Sequence, residues 1–401
     1  MVRYSKDQSF NITSLSKARI ESIDLLKGLA MIIMALDHVR DYFHISVHFF
    51  DPTDPTHSSL PLYFTRWITH FCAPAFSFLA GLSAFMIGKR KTTNELSGFL
   101  VKRGIWLVFI ELTIVAFGWN FDLHFRYVSL QVIWSLGISM IFLGGLIHFS
   151  KTFILIFSLA LIFGHNLLDS THFDNNILWN ILHERNYFHF AVGPNFFSAY
   201  ALIPWVAVMS LGYYFGQLYD SSFDANKRKK ILSGVGISAI AIFFLLKGIN
   251  QYGDPVSWTR FGEIAKTLMS FSNITKYPPS LQFLLITLGV TILFLAISEK
   301  WRGRTVDFFC VFGRVPFFYY VLHIYLIHFI ALVVVEVTGY GWQAMILTNF
   351  VTRVDTLKGY GLNLWMVYLI WIGIILLLYP LCKKFDNYKQ AHKEKWWLSY
   401  L

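Results

Sequence analysis

Charged residues and cysteines are both scarce in this sequence. Asp, Glu, Lys and Arg make up 14% of the 401 residues, whereas hydrophobic residues make up 55%. A soluble protein rarely has this balance, and we therefore expect a protein that crosses a membrane several times. The cysteines are far apart and lie in or beside apolar segments, so they fit neither a zinc site nor a disulfide framework. They are Cys72, Cys310 and Cys382.

The sequence also lacks the short motifs of several enzyme classes. It has no glycine-rich phosphate loop, no nucleophile elbow around a serine, no CxxC pair and no repeat of solenoid period. The 34 Lys and Arg residues exceed the 23 Asp and Glu residues without forming a basic low-complexity arm. We attribute this excess to membrane topology and expect no nucleic-acid partner.

Ten apolar stretches are long enough, or nearly so, to cross a lipid bilayer as helices. They predict an all-α polytopic membrane protein with a cytoplasmic segment at 1–22, one transmembrane domain at 23–382 and a cytoplasmic tail at 383–401. Both termini are placed in the cytoplasm because most Lys and Arg residues then fall on that side. The N-terminus has no signal-peptide pattern, so the first helix is expected to act as an uncleaved start signal. The stretches lie at about 23–45, 64–88, 100–119, 128–149, 152–168, 196–219, 230–249, 280–298, 314–337 and 362–382.

The first stretch combines an apolar helix with ionisable residues. Ser22 is expected to cap it, and Lys27 interrupts its apolar run. At about 100° and 1.5 Å per residue, Lys27 and His38 fall on one face about 16 Å apart. Burying ionisable groups inside a membrane costs free energy, so the cluster of such groups in the last turns of this helix predicts a functional site. A snorkelling Lys27 and a helix end in water are the simpler alternatives. The cluster consists of Asp37, His38, Arg40, Asp41 and His44.

The second stretch is predicted to pack closely on its neighbours. Ala73, Ser77 and Gly81 recur every four residues, and small side chains at this spacing let helices approach in lipid. Arg66 and His70 lie four apart on one face at the outer end. They are predicted to meet Asp37, Asp41 or His44 on the first helix, unless they are plain interfacial residues.

Other polar residues of the later segments have two open interpretations. Glu111 near mid-span is either functional or part of a structural ion pair. His323 near mid-depth is either functional or a packing residue, and Arg314 lies at the cytoplasmic start of the same helix. The outer loop at 169–195, which contains Arg185, is interpreted as solvated or facing a substrate.

Four stretches resemble the catalytic domain of the heparan-alpha-glucosaminide N-acetyltransferase family, and most closely its bacterial members. The resemblance covers about residues 19–220. A basic residue followed by ten residues and a histidine is also similar to helix 1 of the acyltransferase-3 membrane family, although Lys27 stands where Arg is usual. The four stretches are RIESIDLLKGLA from Arg19, APAFSFLAG from Ala73, LQVIW from Leu130 and IPWVAVMSLGY from Ile203.

The resemblance implies an integral-membrane acyltransferase of a bacterial inner membrane. Acetyl-CoA or another acyl-CoA is the implied donor, a sugar or glycan on the outer side is the implied acceptor, and no metal is expected. His38 is the implied general base, with its tautomer fixed by Asp37 or Asp41. Lys27 and Arg314 are expected to hold the CoA phosphates. His70 is also expected to be a catalytic residue. The expected substrate-binding residues are Arg40, His44, Arg66 and His323.

Several alternatives remain open at this point. In the lysosomal member of the family the catalytic histidine lies in the loop after helix 1, so His44, His48 and His57 remain candidates for the base. A route through an acyl-histidine is also open. The competing class is a proton-coupled transporter or a lipid or glycan permease, although we see no inverted repeat. The acyl group, the acceptor and the oligomeric state, a homodimer included, stay open.

Overall fold

The computed structural model describes residues 21–174 and 176–399. Within these ranges the chain forms fifteen α-helices, joined in places by 3₁₀ turns, and one small sheet. The predicted N-terminal segment lies outside the described residues except for its last two. The helices are α1 (Glu21–Phe43), α2 (Leu60–Ile68), α3 (Cys72–Gly88), α4 (Thr93–Ile110), α5 (Ala116–Asn120), α6 (Val132–Leu146), α7 (Lys151–Gly164), α8 (Ile177–Leu182), α9 (Leu202–Phe215), α10 (Ala225–Ile249), α11 (Ile264–Ser272), α12 (Leu281–Ser298), α13 (Arg304–Arg314), α14 (Pro316–Val337) and α15 (Leu364–Ala391).

Helix α1 packs against many other helices, among them α3, α13, α14 and α15. The prediction that Ser22 caps it is wrong, because Glu21 and Ser22 already lie inside the helix. Its N-terminal half approaches α13 closely: a Cβ atom on Gly28 would lie 1.9 Å from the carbonyl oxygen of Phe309. This contact fixes α1 against α13 and leaves its polar C-terminal turns to face other elements.

Helices α3 and α9 pack backbone to backbone, as the small residues of the second stretch predicted. A Cβ atom on Gly81 would lie 1.8 Å from the carbonyl oxygen of Met209, and one on Gly212 would lie 2.0 Å from that of Phe78. Only glycine leaves room for these carbonyl groups. The prediction of a close helix contact is therefore confirmed.

Six helical segments of the described ranges are long and apolar enough to cross a bilayer. These segments identify the chain as an integral membrane protein. Helix α1 carries more charged side chains than they do, and the total of ten spans and the orientation of the termini stay predictions. The segments are Leu60–Gly88, Lys151–Leu168, Ala225–Ile249, Leu281–Ser298, Pro316–Val337 and Leu364–Ala391.

Two of the stretches predicted as helices begin with β-strands. Strand β1 (Tyr127–Leu130) pairs in parallel with β3 (Asn195–Ser198), and β2 (Tyr187–His189) pairs with β3 in the antiparallel sense. The following helices begin only at Val132 and Leu202. Short apolar runs do not distinguish a strand from a helix, and aromatic residues favour strands. The small sheet is therefore a correction to the all-α prediction.

Glu111 has a structural role. It is completely buried in a π-helical turn (Glu111–Val115) between α4 and α5. Its carboxylate accepts hydrogen bonds from the backbone N–H groups of Gln131, at 3.2 Å, and Trp134, at 3.1 Å. These amides lie at the start of α6 and have no acceptor within that helix. Glu111 therefore caps α6 from a neighbouring helix and forms no ion pair with the residues that the structure describes.

The long connections meet at the C-terminal end of α1. Segments 44–59, 165–201, 250–280 and 338–363 all contribute side chains to one cavity there. Asp254 holds the 273–280 part in place, because its carboxylate accepts from the N–H of Thr275 at 2.9 Å and from the hydroxyl of Ser280 at 2.7 Å. The cavity is thus built from the polar end of one helix and from loops that are distant in sequence.

Candidate active site

A cavity of about 750 Å³ lies at the C-terminal end of α1. Its volume falls in the range of about 300–1,000 Å³ that small-molecule sites occupy. Most of its lining residues belong to helix α1, the turn between α2 and α3, and the four connections. Six of the expected catalytic and substrate-binding residues line it: Asp37, His38, Arg40, Asp41, Arg66 and His70.

Two carboxylates and two guanidinium groups neutralise one another in this cavity. Asp37 accepts a hydrogen bond from Arg66 at 2.6 Å and lies 2.9 Å from Nη2 of Arg40. The same Nη2 atom lies 2.5 Å from Asp41. None of the four side chains is more than 13% exposed. The predicted contact between Arg66 and α1 is found, and the network fixes all four side chains without adding much net stability.

His38 contacts a histidine on a distant helix. Its Nδ1 atom lies 2.8 Å from Nε2 of His323 on α14, and the two rings are within 6° of parallel. The sequence had suggested Asp37 or Asp41 as the partner. Consecutive helical residues point about 100° apart, so Asp37 faces Arg66 while His38 faces α14. The group that orients His38 is therefore His323, which had been expected to bind substrate.

The hydrogen-bond chain assigns the protons on both rings. Nδ1 of His323 lies 2.9 Å from the carbonyl oxygen of Tyr319, and this oxygen can only accept. His323 therefore donates from Nδ1 and, in the neutral form, accepts at Nε2. His38 must then donate from Nδ1, which leaves the lone pair on its own Nε2. This is the tautomer that a general base needs, on a residue that lines the cavity.

Arg40 and His70 have polar atoms that the described part of the chain does not satisfy. Nε and Nη1 of Arg40 and Nδ1 of His70 are buried and make no hydrogen bond there. Burying such groups without a partner is costly, so they are expected to meet a ligand or water. Both residues line the cavity. They are therefore placed to meet the oxygen atoms of a substrate.

Two predicted cofactor-binding residues lie near the other end of α1. Lys27 donates a hydrogen bond to the hydroxyl of Ser83 on α3 at 2.9 Å. Arg314 donates to Asp386 on α15 at 3.0 Å and lies 4.0 Å from Asp24. The two cations thus contact different helices, and carboxylates already compensate the charge of Arg314. The binding of CoA phosphates by Lys27 and Arg314 stays a prediction.

The alternative histidines have separate environments. His44 does not line the cavity, and its Nδ1 atom lies 2.8 Å from the hydroxyl oxygen of Ser46. His48 does line the cavity, and burial lowers its pKa below the usual value. His57 lies 2.7 Å from Asp54 with a side chain that is 65% exposed. Of the candidates for the base, His38 has its lone pair assigned by a buried partner.

Many cavity residues were not proposed as site residues from the sequence, among them Arg185, Lys276, Tyr277 and Arg353. These four lie on three connections that the fold brings together, and no sequence spacing links them. The one signal was the 169–195 loop, for which a substrate-facing role was one interpretation. Arg185 on this loop does reach the cavity.

The cavity contains ion pairs and a histidine that contacts a second histidine, and apolar helices surround it. The chain therefore belongs to the class of membrane proteins that have a polar site inside a helical bundle. Within this class the chain belongs to the heparan-alpha-glucosaminide N-acetyltransferase family. The sequence model described as "Heparan-alpha-glucosaminide N-acetyltransferase, catalytic" matches residues 19–248, more than half of the chain. No curated protein matches the chain.

Membership confirms the resemblance and places the chain in a family of membrane acetyltransferases. The matched region contains α1 to α9 and α10 as far as residue 248, and it therefore includes His38 with its ion-pair network. His323, Lys276 and Arg353 lie beyond it. In the described ranges, no group of three or more His, Cys, Asp or Glu residues is arranged to hold a metal ion.

Proposed function

We propose that this protein transfers an acetyl or other acyl group from acyl-CoA to an amine or hydroxyl group of a sugar or glycan, with His38 as the general base. The observation that carries this proposal is the contact of His38, which lines the cavity of about 750 Å³, with His323 on α14. Family membership supports the reaction class. The pair supports the role of His38, because His323 keeps the Nε2 lone pair available.

The reaction needs one proton acceptor and one oxyanion site. The acceptor gives its proton to Nε2 of His38 while its nitrogen or oxygen bonds to the thioester carbonyl carbon. The unsatisfied donors of Arg40, helped by His70, stabilise the oxyanion of the tetrahedral intermediate. The carbon–sulfur bond then breaks, and His38 returns the proton to the departing thiolate. The products are the acylated acceptor and free CoA.

Asp37, Asp41 and Arg66 act as positioning residues in this scheme. Asp37 bridges Arg66 and Arg40, and Asp41 contacts Arg40 from the next turn of α1. Together they hold the guanidinium group of Arg40 beside His38. Their role is therefore to orient the oxyanion donor, and His38 receives its orientation from His323.

The donor is proposed to enter from the cytoplasmic end of α1, with Lys27 binding a phosphate group of acyl-CoA. The acceptor cavity extends along α1 as far as Met34. Met34 lies seven positions after Lys27, a distance of about 10 Å along the helix axis. The thioester arm has to cross this interval to reach His38. Acyl-CoA and the acceptor sugar then approach Nε2 of His38 from opposite ends of α1.

Acetyl-CoA binding to the purified protein in detergent tests this proposal. Wild type is expected to bind acetyl-CoA in the micromolar range and to release free thiol when glucosamine is added. Lys27→Ala is expected to weaken binding about tenfold, as for the loss of one charge-assisted hydrogen bond. Lys384→Ala is the matched control, since it removes an exposed lysine from α15.

The outcomes separate the candidate functions. Thiol release that His38→Ala abolishes, with acetyl-CoA binding retained, supports transfer with His38 as the base. A folded wild-type protein that binds neither acetyl-CoA nor longer acyl-CoAs would contradict the proposal and favour the transporter class.

A further inference from the structure

A second cavity lies among apolar helices, away from His38. Its volume is about 960 Å³, and its lining residues come from α7, α9, α10 and α12 and from the turn after α9. Helices α7 and α10 belong to membrane-crossing segments; α7 packs on α9, and α10 packs on α12. Leu159 and Val235 at its rim are exposed, whereas Leu284 and Leu288 at its floor are buried. The cavity is therefore a groove that opens toward lipid, and we call it the α7–α10 groove.

Helix α10 lines the groove along one continuous stripe. Lys230, Gly234, Ser238 and Ile242 recur every four residues and all belong to its lining. Apart from the adjacent backbone of its own helix, no described atom lies within 4 Å of a Cβ atom placed on Gly234. From Lys230 to Ile242 the stripe extends about 18 Å along the helix axis. Half of the hydrocarbon core of a bilayer is about 15 Å thick, so the groove matches the chains of one leaflet in length.

The cations of the groove lie at one end of this stripe. Lys227 and Lys230 are in the first two turns of α10, and neither amine forms an ion pair with the described residues. Gln217, on the turn after α9, also lines the groove. Apart from Tyr214 and Ser238, the rest of the lining is apolar. The groove thus has a basic end and an apolar body.

Three carboxylates near the basic end have other partners. Asp220 lies 2.6 Å from the amine of Lys89. Glu299 pairs with Arg228, which faces away from the groove. Asp224 caps α10 by accepting from a backbone N–H group at 2.7 Å, and it does not line the groove. Segment 224–230 therefore keeps a net positive charge, and the helix dipole adds to the attraction for an anion at this end.

The two parts of the groove select for different parts of one ligand. Water does not fill apolar cavities of this kind, whereas the acyl chains of the bilayer lie beside the opening. Lysines at a membrane surface attract anionic headgroups. This end of α10 is predicted to face the cytoplasm, and the cytoplasmic leaflet carries the anionic lipids. A basic end that continues into an apolar slot of one leaflet's length therefore fits a phospholipid with a net negative charge.

We propose that the α7–α10 groove binds one anionic phospholipid of the surrounding leaflet. Its phosphate group lies at Lys227 and Lys230, and one of its acyl chains lies over Gly234 between α7 and α10. The inference does not rest on the proposed function, because the groove shares no lining residue with the cavity of His38.

Native mass spectrometry of the detergent-solubilised protein tests the basic end with two lipids of identical chains, dioleoyl-phosphatidylglycerol and dioleoyl-phosphatidylcholine. Wild type is expected to bind one phosphatidylglycerol molecule at least about tenfold more tightly, because each of the two lysines contributes about fivefold. The double substitution of Lys227→Gln and Lys230→Gln is expected to remove most of this preference. Lys229→Gln is the control, since Lys229 is exposed on the same turn but does not line the groove.

Gly234→Leu tests the apolar body in the same experiment. The leucine side chain occupies the groove, and its Cβ atom meets no described atom beyond the backbone of its own helix. The variant is expected to bind one lipid molecule fewer than wild type. Gly248→Leu is the matched control, because Gly248 has equally free space on the same helix and lies outside the groove.

Four results would overturn the inference. The first is equal affinity of wild type for the two lipids, and the second is the same number of bound lipids in Gly234→Leu and Gly248→Leu. The third is a wild-type dimer that Gly234→Leu converts to a monomer, which would make the groove an interface between two copies of the chain. The fourth is displacement of phosphatidylglycerol by acetyl-CoA, which would assign the groove to the acyl donor. If Gly234→Leu does not fold, the lysine variants at exposed positions still decide the question.

Discussion

The pair formed by His38 and His323 gives the sharpest prediction, through two substitutions at the same position. His323→Leu replaces the imidazole with an apolar side chain of similar length and so removes the acceptor for Nδ1 of His38. His323→Gln restores a side-chain oxygen that accepts from the same atom. If His323 acts by fixing the tautomer of His38, the glutamine variant is expected to keep most of the activity that the leucine variant loses.

The magnitude follows from the hydrogen bond that is lost. A buried donor left without an acceptor costs about 1–3 kcal/mol. The 2.8 Å contact between His38 and His323 is the interaction removed. At about 1.4 kcal/mol for each tenfold change in rate, kcat is expected to fall between about fivefold and about 150-fold in His323→Leu. KM is expected to change little, because the lost interaction orients the base and does not contact the acceptor.

The assay is release of free CoA thiol from acetyl-CoA with glucosamine as the acceptor, on protein whose thermal unfolding has been measured. The decisive comparison is made in the His38→Ala background, where kcat is expected to be lower by about 10²–10⁴. His323→Leu should then cause no further loss, because the residue it orients is gone. A further loss of the same size in that background would refute the proposed role, as would a glutamine variant no better than the leucine variant.

Three further predictions concern folding stability in detergent. Arg66→Met is expected to lower the free energy of unfolding by about 3 kcal/mol, because it removes one partner of the buried Asp37 carboxylate; an unchanged melting temperature would contradict this. Glu111→Ala leaves two amides at the start of α6 without an acceptor and should cost about 1–3 kcal/mol for each, whereas Glu111→Gln, which keeps an acceptor, should cost less in the same melting experiment. Gly81→Ala is expected to abolish the monodisperse peak in size-exclusion chromatography, because its Cβ would lie 1.8 Å from a carbonyl oxygen. Gly98→Ala should keep that peak, because apart from the adjacent backbone of its own helix no described atom lies within 4 Å of its Cβ.

The sequence predicted those parts of the fold that depend on local pattern. Long apolar runs indicated membrane-crossing helices, and the spacing of Ala73, Ser77 and Gly81 indicated a close helix contact. The small sheet was missed, because a run such as residues 127–130 is equally compatible with a helix. The role of Glu111 was left undecided, because its partners are backbone amides twenty or more residues further along the chain.

The part of the site that lies on helix α1 was predictable, and so was the contact that Arg66 makes with this helix. Asp37, His38, Arg40 and Asp41 fall within two turns of α1, and their spacing alone brings them together. The partner of His38 is 285 residues away in sequence, and Arg185, Lys276 and Arg353 come from loops that the tertiary fold assembles. Such contacts depend on how the helices pack, and they cannot be predicted from the spacing of residues in a single sequence.

The contact between His323 and Tyr319 determines the direction in which protons can travel. A carbonyl oxygen accepts a hydrogen bond but cannot take up and pass on a proton. The pair of imidazoles can therefore exchange protons only at its His38 end. In this arrangement, every proton that His38 takes up has to leave again through Nε2, into the space from which it came. A pump would need an exit on the far side of this pair. The same arrangement suits an enzyme, because a proton that the base has accepted stays beside the reacting atoms until it is transferred to the leaving group.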